Sequence, residues 1–241
     1  MSPRDTTGTA VRIASVFPDL LGTYGDGGNV RVLERRLAWR GKPVEVVEVR
    51  LGDPVPAEAD LYVLGGGEDD AQAGALRLLR SSTMVRAVER GAHVFAVCAG
   101  LQLLGRSFSG ADGVLHEGLG LLDLTTTRLP SRVVGEVVAD LSPELGLPAL
   151  NGFANHRGGT VLDGDAVPLA TTTRGKGNDG TAGGAEGARQ GRVVATYLHG
   201  PVLARNPALA DWVLSQVTGE ELAPLPAGPA EALHAERTRG A

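Results

Sequence analysis

The stretch HVFAVCAGLQLLG, residues 93–105, decides how the first half of this chain folds, and it contains the only cysteine. The apolar run HVFAV predicts a buried strand, and AGLQLLG predicts the first turns of a helix. Cys98 falls at the turn between them, where the small residues Ala99 and Gly100 allow a sharp change of direction. Open α/β sheets bind ligands at such strand ends, so Cys98 is either a nucleophile or a buried core residue.

Three other apolar runs are too short for helices and predict further buried strands. They are VRIASVF at 11–17, VEVVEV at 44–49 and LYVLGGG at 61–67. Helical patterns lie between the strands, one ending at Gly41 and a longer one over about 70–90 ending at Gly91. Strands that alternate with helices indicate right-handed crossovers and an α/β fold with a parallel sheet.

The second half of the chain has strand-like runs separated by turns, with little helical pattern. We therefore expect antiparallel strands that extend the sheet. A final helix is predicted with Asn206 as its N-cap and Pro207 at its first position. Residues 218–241 are rich in Pro and Ala, and we expect them, like residues 1–10, to be flexible or ordered by a partner.

Composition argues against several classes of function. The chain has 23 Lys and Arg against 28 Asp and Glu, a formal net charge of −5 that favours neither nucleic acid nor an anionic membrane as partner. One cysteine forms no internal disulfide, and no Cys/His cluster has the spacing of a metal site. The apolar run near the N-terminus is too short for a signal peptide or a spanning helix. We therefore expect a cytoplasmic protein that is not embedded in a membrane.

Two further features lie at the ends of predicted strands. Gly65, Gly66 and Gly67 offer bare backbone N–H groups to a substrate carbonyl, although a flexible turn is the simpler interpretation. His199 ends the run VATYLH and can reach the same sheet edge as a general base, although a lone histidine is more often structural. Together with Cys98, these residues describe a Cys–His site for acyl transfer.

These motifs, taken in their order, resemble a known family. The chain resembles the class I, triad-type glutamine amidotransferases, in the branch that includes the cobyric acid synthase amidotransferase domain, in LGGG at 64–67, VCAGLQLLG at 97–105 and TYLHG at 196–200. It is similar to the GatD subunits of lipid II isoglutaminyl synthases in four more stretches, at 23–41, 65–70, 152–160 and 175–188. The resemblance implies a single domain over 11–217 with a flavodoxin-like α/β fold. Such a fold has a mostly parallel central sheet flanked by helices, with antiparallel strands added from the second half.

Carried over to this sequence, the resemblance makes Cys98 the nucleophile that attacks the side-chain amide of L-glutamine. His199 would protonate the departing ammonia, and water would then release glutamate from a glutamyl thioester. The backbone N–H groups of Ala99 and of the turn Gly65, Gly66 and Gly67 would hold the oxyanion. Gln102 would line the glutamine pocket, unless it is an ordinary polar residue of the first helical turn.

The resemblance also assigns residues to the α-carboxylate of glutamine. Arg132 in SRVVGEV matches the family position, and a bidentate guanidinium suits a carboxylate. Arg128 is the alternative, and a solvated charge on an edge strand is the simpler interpretation of either arginine. Asn155 and His156 would wall the pocket, and His156 is not expected to be catalytic.

The sequence departs from the family at the third catalytic group. Class I amidotransferases have an acid two residues after the histidine, but position 201 is Pro. The carboxylate that fixes the tautomer and orientation of His199 is therefore missing from its usual place. It can be dispensable, lie elsewhere in this chain or come from a partner subunit. We expect the partner to supply it, because a site completed on assembly limits futile glutamine hydrolysis.

No nucleotide-binding motif accompanies the site. The Gly-rich stretches at 22–29 and 175–184 lack the spacing of phosphate-binding loops, so we expect no cofactor in this chain. The resemblance implies that ATP and Mg²⁺ bind to the partner, a MurT-type, Mur-ligase-like subunit of a heterodimer. That subunit would use ammonia to amidate the α-carboxyl of D-glutamate in lipid II to D-isoglutamine. The Gly-rich loops and the tail are candidates for the interface.

Three other functions stay open at this point. The chain can be a glutaminase that feeds another synthetase, such as a cobyrinic acid amidation system. It can be a Cys peptidase or deglycase of the same architecture, which would not need the arginine pocket. It can also be a binding subunit with a decayed site, an interpretation that the missing acid favours.

Overall fold

Strands and helices alternate through the first half of the chain, as its periodicity predicts. The computed structural model describes residues 10–110 and 113–239. The first half contains β1 (Val11–Val16), α1 (Gly27–Ala38), β2 (Val44–Val49), β3 (Leu61–Leu64), α2 (Asp69–Arg80), α3 (Met84–Glu89), β4 (His93–Val97) and α4 (Ala99–Leu104). The second half contains β5 (Ser107–Ser109), β6 (Leu115–Glu117), β7 (Leu124–Leu141), β8 (Leu150–Leu162), β9 (Ala170–Arg174), β10 (Ala185–Glu186), β11 (Ala188–Gln190), β12 (Val193–Thr196), β13 (Leu198–His199), α5 (Val202–Arg205), α6 (Pro207–Thr218) and α7 (Pro229–Thr238).

The first sheet has the strand order β11-β12-β4-β3-β1-β2. All its neighbours are parallel except β11, which pairs antiparallel with β12. Every residue of β3 is buried, as expected of a central strand covered on both faces. The chain winds from β1 to β2 in one direction and from β3 to β4 in the other. The loops after β1 and β3 therefore diverge, which leaves a crevice at the carboxyl edge of the sheet.

Most strands of the second half form a second sheet, in the order β10-β9-β7-β5-β6, with β8 paired to both β7 and β13. In the second half, β11 and β12 extend the first sheet, and β11 is antiparallel as expected. For the other strands that expectation is wrong, because β7 pairs with β8 and β9 instead. Each carries buried residues that join the common core. The register of the β7–β8 hairpin shifts between Arg128 and Val133, so the intervening residues bulge out of the ladder.

Two helical predictions differ from the structure in detail. The helix predicted over about 70–90 is broken after α2, because the hydroxyls of Ser81 and Ser82 bond the carbonyls of Leu78 and Leu79 and satisfy the end of the helix. α6 does begin at Pro207. The side chain of Asn206, however, bonds Asn151 and Val202 instead of capping that helix.

The C-terminal segment is more ordered than expected. Residues 229–238 form α7, which is held by polar contacts: His234 Nε2 donates to the carbonyl of Ala149 (2.8 Å), and Arg174 donates to the carbonyl of Arg237 (2.9 Å). Residues 1–9, also expected to be flexible, lie outside the described residues. Within the described ranges, no helix has the length and apolar character needed to cross a bilayer.

An ion pair between α1 and α6 provides a test of the packing. Arg36 makes two hydrogen bonds to Asp211 (2.6 and 2.7 Å), and Arg40 adds a third (2.8 Å), while only 7% and 4% of the two arginine side chains is exposed. Asp211→Asn removes the carboxylate that both guanidinium groups share, and it leaves Arg36 with only the more distant carboxylate of Glu231 (3.7 Å). We expect the free energy of unfolding to fall by about 2 kcal/mol, measured by urea denaturation.

The matched control is Asp163→Asn, which removes an exposed carboxylate from Arg106. Because water solvates both of those groups, its unfolding midpoint should equal that of the wild type. Equal midpoints for all three proteins would contradict the structural role of Asp211.

Candidate active site

Four turns meet at the carboxyl edge of the first sheet. Asp26 ends the loop after β1, Gly66 lies in the turn after β3, Cys98 follows β4 directly, and His199 ends β13. The first three turns border the crevice where the strand order reverses. His199 reaches the same place because the chain passes from the first sheet to the second at Tyr197, between β12 and β13.

Cys98 sits on a strained turn. Its φ of 52° and ψ of −105° lie in a region that L-residues with side chains rarely occupy, and such strain persists only where the surroundings fix it. Its N–H donates to the carbonyl of Thr196 (2.8 Å). Gly100 is required behind it, because a Cβ there would lie 3.0 Å from Leu64 Cβ. Cys98 is 8% exposed and lines a cavity, so it is not sealed in the core.

His199 is held by a buried carboxylate of the same chain. Its Nδ1 lies 3.1 Å from both carboxylate oxygens of Asp26, and both side chains are almost completely buried. The backbone N–H of Gly66 donates to Asp26 Oδ2 (2.8 Å), which fixes the carboxylate from its other side. This contact orients the imidazole and leaves Nε2 as the nitrogen available for proton transfer.

The charge state of His199 follows from these neighbours. Burial by itself lowers the pKa of His199, but the hydrogen bond to Asp26 and the adjacent Cys98 and Asp26 side chains outweigh it and raise the pKa to about 10. Nε2 is buried and has no hydrogen-bond partner among the described residues. At neutral pH the imidazole therefore holds a proton next to Cys98 Sγ.

Asp26 changes one expectation from the sequence. The carboxylate beside His199 comes from this chain, so the prediction that a partner subunit supplies it is wrong. Asp26 precedes His199 by 173 residues, and only the fold brings the two together. The available signal was the position of Asp26 in TYGDGGN, after a central strand and directly before α1, whose N-terminus favours a negative charge.

The three glycines after β3 are needed for close packing. A Cβ on Gly66 would lie 2.8 Å from His199 Cε1, 3.0 Å from Asp26 Oδ2 and 3.3 Å from Cys98 Cβ. A Cβ on Gly65 or Gly67 would lie 2.0 and 2.6 Å from backbone carbonyl oxygens. Gly66 therefore occupies the centre of the site, where no side chain fits.

The predicted oxyanion donors are not equivalent in the structure. The N–H of Gly66 is already bonded to Asp26, and the carbonyl of Gly65 accepts from Gly100 (3.2 Å). The N–H groups of Gly67 and Ala99 have no acceptor among the described residues, and both residues line the cavity. Gly67 and Ala99 are therefore the better candidates for the oxyanion site.

A cavity of about 160 Å³ opens beside Cys98 and is lined by Arg128, Arg132, Gln102 and Asn155, among others. Arg132 Nε donates to Asn155 Oδ1 (2.5 Å), and its Nη2 lies 3.4 Å from the hydroxyl of Tyr24. The bulge in β7 gives Arg132 this position. The fold thus gathers the predicted substrate-binding residues around the candidate nucleophile, and their individual roles remain predictions.

Gln102 belongs to a buried polar network behind the cavity. Its Oε1 accepts from Gln72 (2.8 Å), and its Nε2 donates to the hydroxyl of Tyr197 (3.1 Å). The Tyr197 hydroxyl also bonds Thr160 (2.7 Å), and Thr160 bonds Thr126 (2.6 Å). These bonds fix the amide of Gln102 in one orientation at the cavity wall.

His156 contributes a neutral acceptor to the same wall. Burial lowers its pKa to about 4, and the positive charges of His199 and Arg132 act in the same direction. Its Nδ1 therefore carries the proton that is donated to the carbonyl of Gly158 (2.8 Å), which leaves a lone pair on the buried Nε2. The ring stacks on Tyr197 with centroids 3.9 Å apart.

The site has the residues of an acyl-transfer centre and not those of a metal centre. Among the described residues, no three His, Cys, Asp or Glu side chains are placed to hold a metal ion. The thiol, the imidazole held by a carboxylate and the adjacent N–H groups are the parts that a cysteine hydrolase or amidotransferase uses.

Comparison with known proteins defines the class. Residues 12–207 match the CobB/CobQ-like glutamine amidotransferase domain, and the chain belongs to this family. It is a glutamine-hydrolysing amidotransferase, as the motifs predict.

Relatives named GatD match over most of their length. The chain is 34% identical over 201 residues to the GatD subunit of lipid II isoglutaminyl synthase (glutamine-hydrolysing) from Staphylococcus aureus, covering 82% of this chain and 80% of the relative. It is 33% identical over 204 residues to the GatD subunit from Streptococcus pneumoniae, covering 83% and 77%. Cobyric acid synthase from Cereibacter sphaeroides is 38% identical over 168 residues, covering 64% of this chain and 32% of that protein. The predicted resemblance to GatD subunits is confirmed.

Solved structures confirm the predicted fold class. A crystal structure of a glutamine amidotransferase superposes with a TM-score of 0.56 at 22% identity and covers 86% of this chain and 99% of that chain. A glutamine amidotransferase from Thermotoga maritima gives a TM-score of 0.54 at 15% identity, with 95% and 90% covered. At these identities the likeness establishes the α/β fold alone.

The packing around Gly66 gives a first prediction for the site. Gly66→Ala places a methyl group against His199, Asp26 and Cys98, and we expect kcat for glutamine hydrolysis to fall by about 100-fold or more, since small displacements of reacting groups have effects of this size. Glutamate release measures the change. The control is Gly27→Ala, whose added Cβ has no atom within 4 Å and should leave kcat unchanged. An active Gly66→Ala protein would contradict the described geometry.

Asp26 gives a second prediction. Asp26→Asn keeps the shape but removes the charge, so we expect kcat to fall by about 10²- to 10⁴-fold with little change in KM. Because Asp26 raises the pKa of His199, the NMR titration midpoint of His199 should move to lower pH in this variant. Asp19→Asn, an exposed change in the same loop, is the control and should match the wild type. Unchanged activity and an unchanged midpoint in Asp26→Asn would show that the contact has no catalytic role.

Proposed function

We propose that this chain is the glutaminase subunit of a lipid II isoglutaminyl synthase. It hydrolyses L-glutamine at Cys98 and passes ammonia to a MurT-type ligase subunit, which amidates the α-carboxyl of D-glutamate in the lipid II stem peptide to D-isoglutamine. One observation carries the proposal most directly. Cys98, backed by His199 and Asp26, opens into a cavity that also contains Arg132 and Asn155, in a chain that matches GatD subunits over about four-fifths of their length.

In the first half of the reaction, Cys98 reacts as a thiolate, with the proton held on His199, and its Sγ attacks the side-chain carbonyl carbon of glutamine. The carbonyl oxygen becomes negative and accepts hydrogen bonds from the N–H groups of Gly67 and Ala99. The carbon–nitrogen bond then breaks, and the nitrogen leaves as ammonia after taking a proton from His199 Nε2. A γ-glutamyl thioester on Cys98 remains. The raised pKa of His199 supports this step, because the proton that the leaving group needs is already present.

In the second half, water replaces ammonia. His199, now neutral, takes a proton from the water, whose oxygen attacks the thioester carbon. The carbon–sulfur bond breaks and glutamate leaves. Asp26 keeps the imidazole in the tautomer that both steps need, because its carboxylate accepts the Nδ1 proton throughout.

Arg132 is the proposed partner of the substrate α-carboxylate. Asn155 holds its Nε, so the guanidinium keeps one orientation while its terminal nitrogens remain near the cavity. A fixed fork of donors suits a carboxylate better than a flexible ammonium does. Arg128 lines the same cavity and can add a second positive charge. Gln102 lines the wall near the candidate nucleophile.

ATP and Mg²⁺ belong to the partner subunit in this proposal. Amidation of a carboxyl group requires its activation, and the described cavity beside Cys98, with a volume of about 160 Å³, is smaller than typical cofactor pockets. The acceptor therefore reacts on the MurT-type subunit of a heterodimer, and ammonia moves between the two sites. We place the protein in the cytoplasm, where its single thiol stays reduced.

Two alternatives from the same fold are less well supported. A glutaminase for cobyrinic acid-type amidation is the second candidate, because cobyric acid synthases are also relatives. The match covers 32% of the cobyric acid synthase but 80% of a GatD subunit, which favours lipid II as acceptor. A Cys peptidase or deglycase would not need Arg132 held beside the nucleophile.

The testing experiment measures glutamate release from L-glutamine by the purified chain, alone and with a MurT-type subunit. Wild type should release glutamate, and Cys98→Ser should lower the rate by about 10³-fold or more because the hydroxyl is a far weaker nucleophile. With ATP, Mg²⁺ and lipid II, the complex should form amidated lipid II, detected by mass spectrometry.

The outcomes of this experiment separate glutamine hydrolysis from the identity of the acceptor. A silent wild type, with and without the partner, would overturn the glutaminase proposal. Glutamate release without lipid II amidation, together with amidation of a cobyrinic acid, would overturn the acceptor and support the second candidate.

A further inference from the structure

Glu186 is a buried carboxyl group that the proposed reaction does not use. It lies in β10 and is 1% exposed. Its Oε1 accepts two hydrogen bonds of 2.8 Å, one from the hydroxyl of Thr196 and one from the backbone N–H of Tyr197. Its Oε2 has no hydrogen-bond partner among the described residues. Burying a carboxyl group costs free energy, which the hydrogen bonds to Oε1 offset in part. The buried position of Glu186 therefore indicates a specific role.

A dedicated Gly-rich segment holds Glu186 in place. Asn178 bonds the backbone on both sides of Glu186: its N–H donates to Ala185 (2.7 Å), its Nδ2 donates to the carbonyl of Gly187 (2.8 Å), and its Oδ1 accepts from the N–H of Gly187 (2.7 Å). Gly187 has a φ of +63° and would clash with the carbonyl oxygen of Ala195 if it had a Cβ. Residues 175–188 thus form an ordered loop that fixes the position of the Glu186 carboxyl group, and the segment is not a flexible linker.

Thr196, which donates to Glu186, also contacts the backbone beside both the nucleophile and the base of the candidate active site. Thr196 Oγ1 donates to Glu186 and accepts from the N–H of Leu198 (3.0 Å), the residue before His199. The carbonyl of the same Thr196 accepts from the N–H of Cys98 (2.8 Å). Tyr197 lies between β12 and β13, where the chain leaves the first sheet, and no described β-ladder pairs its backbone N–H.

We propose that Glu186 is a positioning residue for the glutamine-hydrolysing site. Through its bonds to Thr196 and Tyr197, it fixes the turn that places His199 beside Asp26 and Cys98. The inference rests on the glutaminase chemistry of this chain and is independent of the acceptor. Glu186 does not touch the reacting atoms. Its Oε1 accepts a hydrogen bond from the backbone N–H of Tyr197, for which the sheet offers no acceptor because the chain leaves the first sheet there.

The bonding pattern predicts which replacement is tolerated. Only Oε1 accepts hydrogen bonds from the turn, and a glutamine has the same oxygen in the same place. Burial raises the pKa of Glu186 to about 7, although its two hydrogen bonds lower it, so a neutral side chain is compatible with the site near neutral pH. Glu186→Gln should therefore preserve the turn, whereas Glu186→Ala leaves a buried N–H and hydroxyl without an acceptor.

The experiment compares matched variants of the full chain, with the MurT-type subunit added if the wild type requires it. We expect Glu186→Gln and Thr196→Ser to keep kcat within about threefold of wild type. Glu186→Ala and Thr196→Val should lower kcat by about 10-fold or more with KM within about threefold, because the turn moves the base and leaves the glutamine pocket intact. The control is Thr218→Val, a buried threonine whose hydroxyl bonds the carbonyl of Leu214 in α6, away from residues 175–188 and from the turn; its kcat should be unchanged.

A spectroscopic readout separates positioning from general loss of folding. The Nδ1 proton of His199, hydrogen-bonded to Asp26, gives a downfield NMR signal that should persist in Glu186→Gln and shift or disappear in Thr196→Val, while circular dichroism stays that of a folded protein. Wild-type kcat and signal in Thr196→Val and Glu186→Ala would overturn the inference. Equal losses in Thr218→Val would do so as well, since the effect would not be specific to the turn. An inactive wild type would count against the glutaminase proposal, and the NMR comparison would still decide the positioning role.

Discussion

The backbone amide of Gly66 is the contact on which the candidate active site depends. It donates to the carboxylate of Asp26, and that carboxylate orients His199. The absence of a side chain at Gly66 is equally important, because a Cβ there would lie too close to His199, Asp26 and Cys98. One residue therefore supplies both the hydrogen bond and the space that the site needs. A larger residue at this position would remove the space even if it kept the bond.

The fold explains why these residues meet. A reversal of strand order opens a crevice between the loops after β1 and β3, and Asp26 and Gly66 lie on its two sides. The nucleophile follows β4, the next strand in the sheet. His199 arrives from the other direction because the chain leaves the first sheet after Thr196 and joins the second. Two sheets thus supply one site, and the buried bonds of Glu186 and Thr196 stabilise the crossing point.

Local patterns predicted a large part of this arrangement. Cys98, Gly66 and His199 were identifiable because each follows an apolar strand, and parallel strands end at one edge. The position of Asp26 before α1 is a signal for a negative charge, but it does not reveal the partner of Asp26, which lies 173 residues away, and the surrounding glycines look like an ordinary turn. The second sheet was missed for a related reason: the periodicity of β7 and β8 indicates strands but does not determine which edge they pair with. In α7, exposed and polar residues gave no apolar stripe, and its order comes from contacts to distant carbonyls.

Labelling with a diazo-ketone analogue of L-glutamine tests most directly whether Cys98 is a glutamine-specific nucleophile activated by His199. Such an analogue binds as glutamine does and alkylates the attacking thiolate. The wild type should gain one adduct, located at Cys98 by peptide mass spectrometry, and excess L-glutamine should slow its formation. His199→Ala should react far more slowly. Labelling that is absent, that occurs elsewhere, or that is insensitive to L-glutamine would contradict the assignment of this site.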